Sequence, residues 1–121
     1  MSDEEGKYDL EERTYKFAFD VRLCIGTFQW SRIQWTDVDQ LLRSSGSVAA
    51  NYVEANNSIS KADFLYRIRI SRKEASESRL WLRLLGATVS DQTLKEPLRL
   101  LYKECDELIR ILAAILRNST N

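Results

Sequence analysis

Apolar residues recur along this chain at spacings of three and four, the pattern of helices that bury one face. Leu10, Thr14, Phe17, Ala18, Val21, Cys24, Ile25 and Phe28 form the first such series and predict a helix capped by Asp9. The order lapses over TFQWSRIQW, so a loop is predicted near residues 29–35, with its aromatic rings covering the end of the core. Thr36 followed by Asp37 and Asp39 supplies a cap and negative charge for a second helix, running to about Asn56. Val38, Leu42, Ser45, Ala49, Tyr52 and Val53 are expected on its inner face. Turn formers follow, and Ser60 through Asp63 gives an S-x-x-D capping signal for a third helix from about Lys61 to Leu85, with Gly86 as its C-cap. Pro97 belongs near the first turn of a fourth helix, since deeper it would remove a hydrogen bond and clash, at a cost of ~3 kcal/mol. Leu98, Leu101, Cys105, Leu108, Leu112 and Ile115 then make the last core stripe.

Helices joined by short connections predict an all-α, antiparallel up-down-up-down four-helix bundle over residues 9–118, preceded by a flexible acidic tail over 1–8. The third helix carries two apolar stripes, one with Phe64, Ile68, Ala75 and Leu82, the other with Tyr66, Ile70, Trp81 and Leu84. A lone bundle needs only one, so the second predicts self-association, with a wide core face as the alternative.

The second helix raises a different question, because LLRSSGSVAANYVEAN places Ser, Gly, Ala and Asn where bulky side chains are usual. With a turn centred near residues 58 and 59, antiparallel helices bring Arg43 opposite Glu74, Ser47 opposite Ile70 and Asn51 opposite Tyr66. The small residues then serve close backbone approach. Arg43, Asn51, Glu54, Glu74 and Glu77 form an expected structural polar network, with Arg43 paired to Glu74 or Glu77.

The 121 residues suffice for one core, and 44% hydrophobic with 30% charged residues fits a soluble globular protein. Only four Gly and one Pro leave little material for hairpins. Formal charge is zero, yet six acids against Lys7 crowd the first twelve residues, leaving 17 basic and 12 acidic groups beyond them. The third helix holds seven cations, Lys61, Arg67, Arg69, Arg72, Lys73, Arg79 and Arg83, against three acids. Arg67, Arg69, Arg72, Lys73, Arg79 and Arg83 are the candidate phosphate-contacting residues.

Catalytic candidates are few. There is no His, which removes the usual proton shuttle and the commonest zinc ligand. Ser44, Ser45 and Ser47 have no base at hand, Gly46 stands alone rather than in a phosphate loop, and Glu54, Glu74 and Glu77 lack the Glu-x-x-His partners of di-iron bundles. No enzyme, cofactor, metal or small-molecule substrate is therefore expected. Cys24 and Cys105 lie in apolar patterns and read as reduced core residues of a cytosolic protein. The acidic N-terminus is unlike a signal peptide and no run is long enough to span a membrane, so a cytoplasmic protein is expected.

Four segments carry a resemblance: ERTYKFAFDVR in the first helix, RSSGSVAANYVEA from Arg43 to Ala55, SKADF from Ser60 to Phe64, and DELIRILAAIL in the last helix. Together they resemble the bacterial four-helix-bundle proteins encoded in intervening sequences of 23S ribosomal RNA genes. The resemblance implies a ring-like homo-oligomer, a homopentamer by preference, and no enzymatic role. A related branch, the accessory variability proteins of diversity-generating retroelements, is strongly basic and implies binding of nucleic acid and a reverse transcriptase; this chain differs in its pI near 6.3. The leading expectation is a non-enzymatic oligomeric bundle that binds RNA or a ribonucleoprotein. The alternative is a protein interaction scaffold without a nucleic-acid partner.

Overall fold

The computed structural model describes the backbone of residues 3–119 and the side chains of residues 9–119. Among the described residues there are four helices and no strand: α1 (Asp3–Gly26), α2 (Arg32–Asn56), α3 (Lys61–Thr88) and α4 (Gln92–Ser119). Each packs on its neighbours in the chain, α1 closes onto α4, and the backbones of the diagonal pairs α1/α3 and α2/α4 do not come within 8 Å, Cα to Cα. Antiparallel order follows from the cross-helix bonds. Arg22 meets Ser45 while Glu11 meets Asn56, and Ser78 meets Ser44 while Arg67 meets Asn51. Helical backbone enters the stretch expected as an acidic tail, starting before the Asp9 cap; Met1, Ser2, Thr120 and Asn121 lie outside the described residues.

The core is a continuous column that includes Phe17, Val21, Val38, Leu41, Val48, Ile68, Leu82, Leu85, Leu98, Leu108 and Leu112. Residues at three- and four-residue spacing line it, and their burial supplies the main drive for folding. Cys105 sits inside and donates its thiol to the Ala75 carbonyl at 3.0 Å, tying α4 to α3. Both cysteines are free thiols, Cys24 half-buried.

Four expectations shift. The second helix starts at Arg32 rather than at a Thr36 cap, because Ser31 and Gln34 form a capping box: the Ser31 hydroxyl accepts from the Gln34 N–H and the Gln34 side chain accepts from the Ser31 N–H. Trp30, buried beside it, donates its indole N–H to the Ile25 carbonyl at 3.1 Å and so satisfies the end of α1, while Trp35 lies exposed on α2. Gly86 does not end α3, which continues to Thr88 so that Leu85 and Val89 reach the core; Val89 is the C-cap. Pro97 falls in the second turn of α4, not the first, because Asp91 caps that helix by accepting from the Thr93 N–H and hydroxyl. Finally, the buried face of α2 is Val38, Leu41, Ser44, Ser45, Val48, Asn51, Tyr52 and Ala55, with Val53 exposed and Leu42 and Ala49 only half-buried. That face is turned from the expected one because α2 must serve α3 and α1 at once.

The small residues of α2 divide between these two neighbours. Toward α3, Ser44 and Ser78 share a hydrogen bond at 2.7 Å, and Ser71 donates to the Val48 carbonyl at 2.8 Å; all three serines are fully buried. Serine hydroxyls reaching a facing backbone require short interhelical separation, which larger side chains would prevent. Gly46 serves α1 instead. A Cβ there would lie 3.2 Å from the Arg22 guanidinium, which donates to the Ala18 and Leu42 carbonyls.

Two outcomes test this packing. Ser78→Leu should destabilise the fold by about 3 kcal/mol in urea denaturation, through overpacking plus loss of a buried partner, and Ser78→Ala by about 1 kcal/mol. Burial pushes the Cys105 thiol up to about 12 from an ordinary 9.0. The stability from keeping it neutral is therefore complete below pH 9 and is lost as pH rises toward 12. In iodoacetamide labelling of the native protein at pH 8, read by peptide mass spectrometry, Cys24 should react well before Cys105.

Candidate nucleic-acid interface

The third helix presents its cations on more than one edge. Residues facing α2 are set by Glu74 and Ser78, and residues facing α4 by Ala75, whose carbonyl takes the Cys105 thiol, and by Arg79, which binds Asp106. Arg72 and Arg83 stand seven and four residues from Arg79, so they share its α4 edge. Arg69 and Lys73 lie on the outward line, alternating with exposed Tyr66, Leu80 and Leu84. Arg67 turns toward α2, where it donates to the Asn51 side chain at 3.3 Å and lies over the Tyr66 ring at 5.6 Å. The six expected phosphate contacts thus do not form one strip. Arg72, Arg79 and Arg83 stand along the α4 edge, Arg69, three residues before Arg72, and Lys73 continue outward from it, and Arg67 turns away to Asn51.

The α4 side of this edge is itself cationic, which the reading of the sequence did not include. Arg99, Lys103 and Arg110 recur at spacings of four and seven, and Lys95 precedes Arg99 by four. Because α3 and α4 run antiparallel, Arg83 comes beside Lys95 and Arg99, around a groove of about 200 Å³ that Gly86 and Tyr102 also line. Lys95 donates to the Gly86 carbonyl at 2.8 Å, holding its ammonium at the groove. The acids along this seam are already taken: Asp106 by Arg79 and Arg110, and Glu96 by Arg99 at 2.5 Å. Glu104 and Glu107 pair with Arg13 on α1, and both also line an outer groove with Lys103, Asp106 and Arg110. The Arg99 guanidinium pKa is raised, chiefly by its hydrogen bond to Glu96, so that cation stays charged. The signal available in the sequence was the basic spacing on the fourth helix.

Across the bundle, the α2–α3 polar network is centred on Arg43, which donates to Glu74 at 2.9 Å and to Glu77 at 3.1 Å. Glu74 is 7% exposed, so its carboxylate depends on that partner. Asn51 donates to the Ser47 carbonyl and hydroxyl, both at 2.9 Å, and takes Arg67 on its oxygen. Ser47 therefore turns to Asn51 along its own helix, and Asn51 meets Arg67 rather than Tyr66. Glu54 is exposed and enters this region only through its backbone carbonyl, which accepts from Ser58. Nearby on α3, the Trp81 indole N–H is buried without a hydrogen-bond partner. No group of three or more His, Cys, Asp or Glu side chains that could hold a metal occurs among the described residues, and no helix there is long and apolar enough to cross a membrane.

An all-α bundle with a serine-lined α2–α3 contact and a cationic α3–α4 seam defines the class. The family model for the 23S rRNA-intervening sequence protein matches residues 7–114, and the chain belongs to that family. It is similar, at 27% identity and a TM-score of 0.75, to the crystal structure of a protein of unknown function from the S23 ribosomal protein family of Bacteroides thetaiotaomicron VPI-5482. That alignment covers 88% of this chain and 97% of the other. No curated protein matches.

The Arg43 pair makes a measurable claim. Arg43→Ala should cost about 2 kcal/mol in urea denaturation, between the values for exposed and buried pairs, because it strands the Glu74 carboxylate. Adding Glu74→Gln should recover part of that loss, giving a double variant more stable than the two single costs sum to.

Proposed function

We propose that the protein is a non-enzymatic, cytoplasmic bundle that assembles into a ring, a homopentamer by preference, and binds RNA or a ribonucleoprotein through the α3–α4 seam. The observation that carries this reading is the seam itself. Arg83 meets Lys95 and Arg99 around one groove, Arg79 shares Asp106 with Arg110, and Arg72 and Lys103 continue the two basic lines; of the acids there, Glu96 and Asp106 are held by these arginines and Glu107 by Arg13. Phosphates are bound by such an excess of cations over acids, and repetition around an oligomer multiplies it. The family's name ties it to 23S ribosomal RNA genes, and the similar Bacteroides protein is ascribed to a ribosomal protein family, which agrees in kind with an RNA partner. Self-association is supported by Tyr66, Leu80 and Leu84, exposed in a line on α3.

A salt titration decides it. Binding of fluorescent single-stranded RNA fragments of 23S sequence and of random sequence should be readily measured near 50 mM salt. Its log affinity should fall with log salt at a slope of about −2 to −3 for three or four phosphate contacts. Arg72→Glu with Arg83→Glu and Lys103→Glu should lower affinity at least tenfold and bring the slope close to zero. Absence of binding at low salt would leave a protein interaction scaffold.

A further inference from the structure

An aromatic ring, Tyr102, interrupts the cations of the α3–α4 seam. Along α4, Lys95, Arg99, Tyr102, Asp106 and Arg110 follow one another at spacings of four, three, four and four, so the ring lies on the same line as the charges. It is half-buried and packs against the hydrophobic core, which holds it in place. Among the described residues its hydroxyl has no hydrogen bond, and the ring meets no second ring and no cation.

Two grooves meet at this side chain, and Tyr102 is the residue they share. The smaller, about 200 Å³, takes its charge from Arg83, Lys95 and Arg99, with Leu82 and Leu98 in its wall. Arg83 has no acidic partner among the described residues, and Lys95 donates to the Gly86 carbonyl rather than to an acid. A Cβ at Gly86 would meet nothing within 4 Å, so this groove is open as well as positive. The larger groove, about 390 Å³, mixes Lys103 and Arg110 with Glu104, Asp106 and Glu107.

The two grooves suit different parts of a nucleotide. A phosphate accepts hydrogen bonds and is repelled by carboxylates, so it belongs in the smaller one. A base edge carries donors and acceptors together, which a wall of mixed charge can answer. The ring between them offers a flat face, and every base can stack on such a face without any added charge. A base inside a duplex is already stacked on its neighbours and paired along its edge; one from an unpaired stretch is free to lie on a side chain.

We infer that the seam takes unpaired RNA, one nucleotide setting its phosphate among Arg83, Lys95 and Arg99 and stacking its base on Tyr102, with the base edge toward Lys103 and Asp106. This rests on the proposed RNA binding and says which form of RNA the seam accepts and by what contact. It requires no second copy of the chain.

Ring and base are removed separately to test it. Against a short single-stranded oligoribonucleotide at low salt, Tyr102→Leu should weaken binding about tenfold, while Tyr102→Phe and Tyr102→Trp should stay within about threefold of wild type, because the ring and not the hydroxyl makes the contact. The salt slope should be the same in all three, unlike that of the charge-reversed seam, since no phosphate contact is lost. A fully abasic strand of the same length should bind the wild type about tenfold more weakly than the intact strand, and Tyr102→Leu should weaken it no further. A blunt duplex of the same sequence should bind wild type and Tyr102→Leu alike. Circular dichroism checks that the leucine variant keeps its helices, and the abasic strand gives the answer on the unaltered chain. Single-strand binding that survives Tyr102→Leu in full, or an abasic strand held as tightly as the intact one, overturns the stacking and leaves the seam as a phosphate site. A duplex weakened by Tyr102→Leu as much as the single strand overturns the restriction to unpaired RNA. No binding of any strand at low salt overturns the proposed function and this inference with it.

Discussion

The close approach of α2 and α3 is the constraint on which the rest of the bundle depends. It is made by side chains that add little width: Ser44 against Ser78, and Ser71 against the Val48 carbonyl. Sliding by one turn would take the Val48 carbonyl from the Ser71 hydroxyl and break the bond between Ser44 and Ser78, leaving those two only the carbonyls of Leu41 and Glu74 on their own helices. With those two bonds set, Arg43 reaches Glu74 and Glu77, and Asn51 reaches Arg67. The direction of every α3 side chain follows, including which cations fall on the α4 edge and which on the outward line.

The α4 contact repeats the device with different chemistry. Ala75 is fully buried, and its carbonyl takes the Cys105 thiol, so the two helices again meet through a side chain of little bulk. Asp106, next in the chain, turns outward to Arg79 and Arg110. A buried sulfur and a half-buried acid in adjacent positions thus link the core to the charged seam. The seam's electrostatics depend on this register, because a shift of α4 would release Asp106 and change the balance of charge at its centre.

Much of the architecture is legible in the order of residues, and the exceptions have identifiable causes. Helix number, the Ser60 cap and the pairing of Arg43 with acids on α3 all follow from local periodicity and one turn position. The start of α2 is obscured because Thr36 offers a good cap, while the better one at Ser31 depends on Gln34 bonding back to it. Gly46 is legible as a site of close approach, but not its partner: the four-residue spacing permits either neighbour, and Arg22 on α1 occupies it. The candidate interface is half legible for the same reason. Periodicity places Arg72 and Arg83 on one line, but their joining with Arg99 and Lys103 is a property of two helices packed together.

The wall between α1 and α4 has a thermodynamic consequence. These helices are held by Arg13 with Glu104 and Glu107, and beside them lies an open groove of about 650 Å³ lined by Leu23, Pro97 and Leu100. A helix clasped on one flank and loosely met on the other is the first to detach, and local opening follows such seams. Anything that binds across that groove therefore braces the thinnest side of the bundle, and the melting point rises with its concentration.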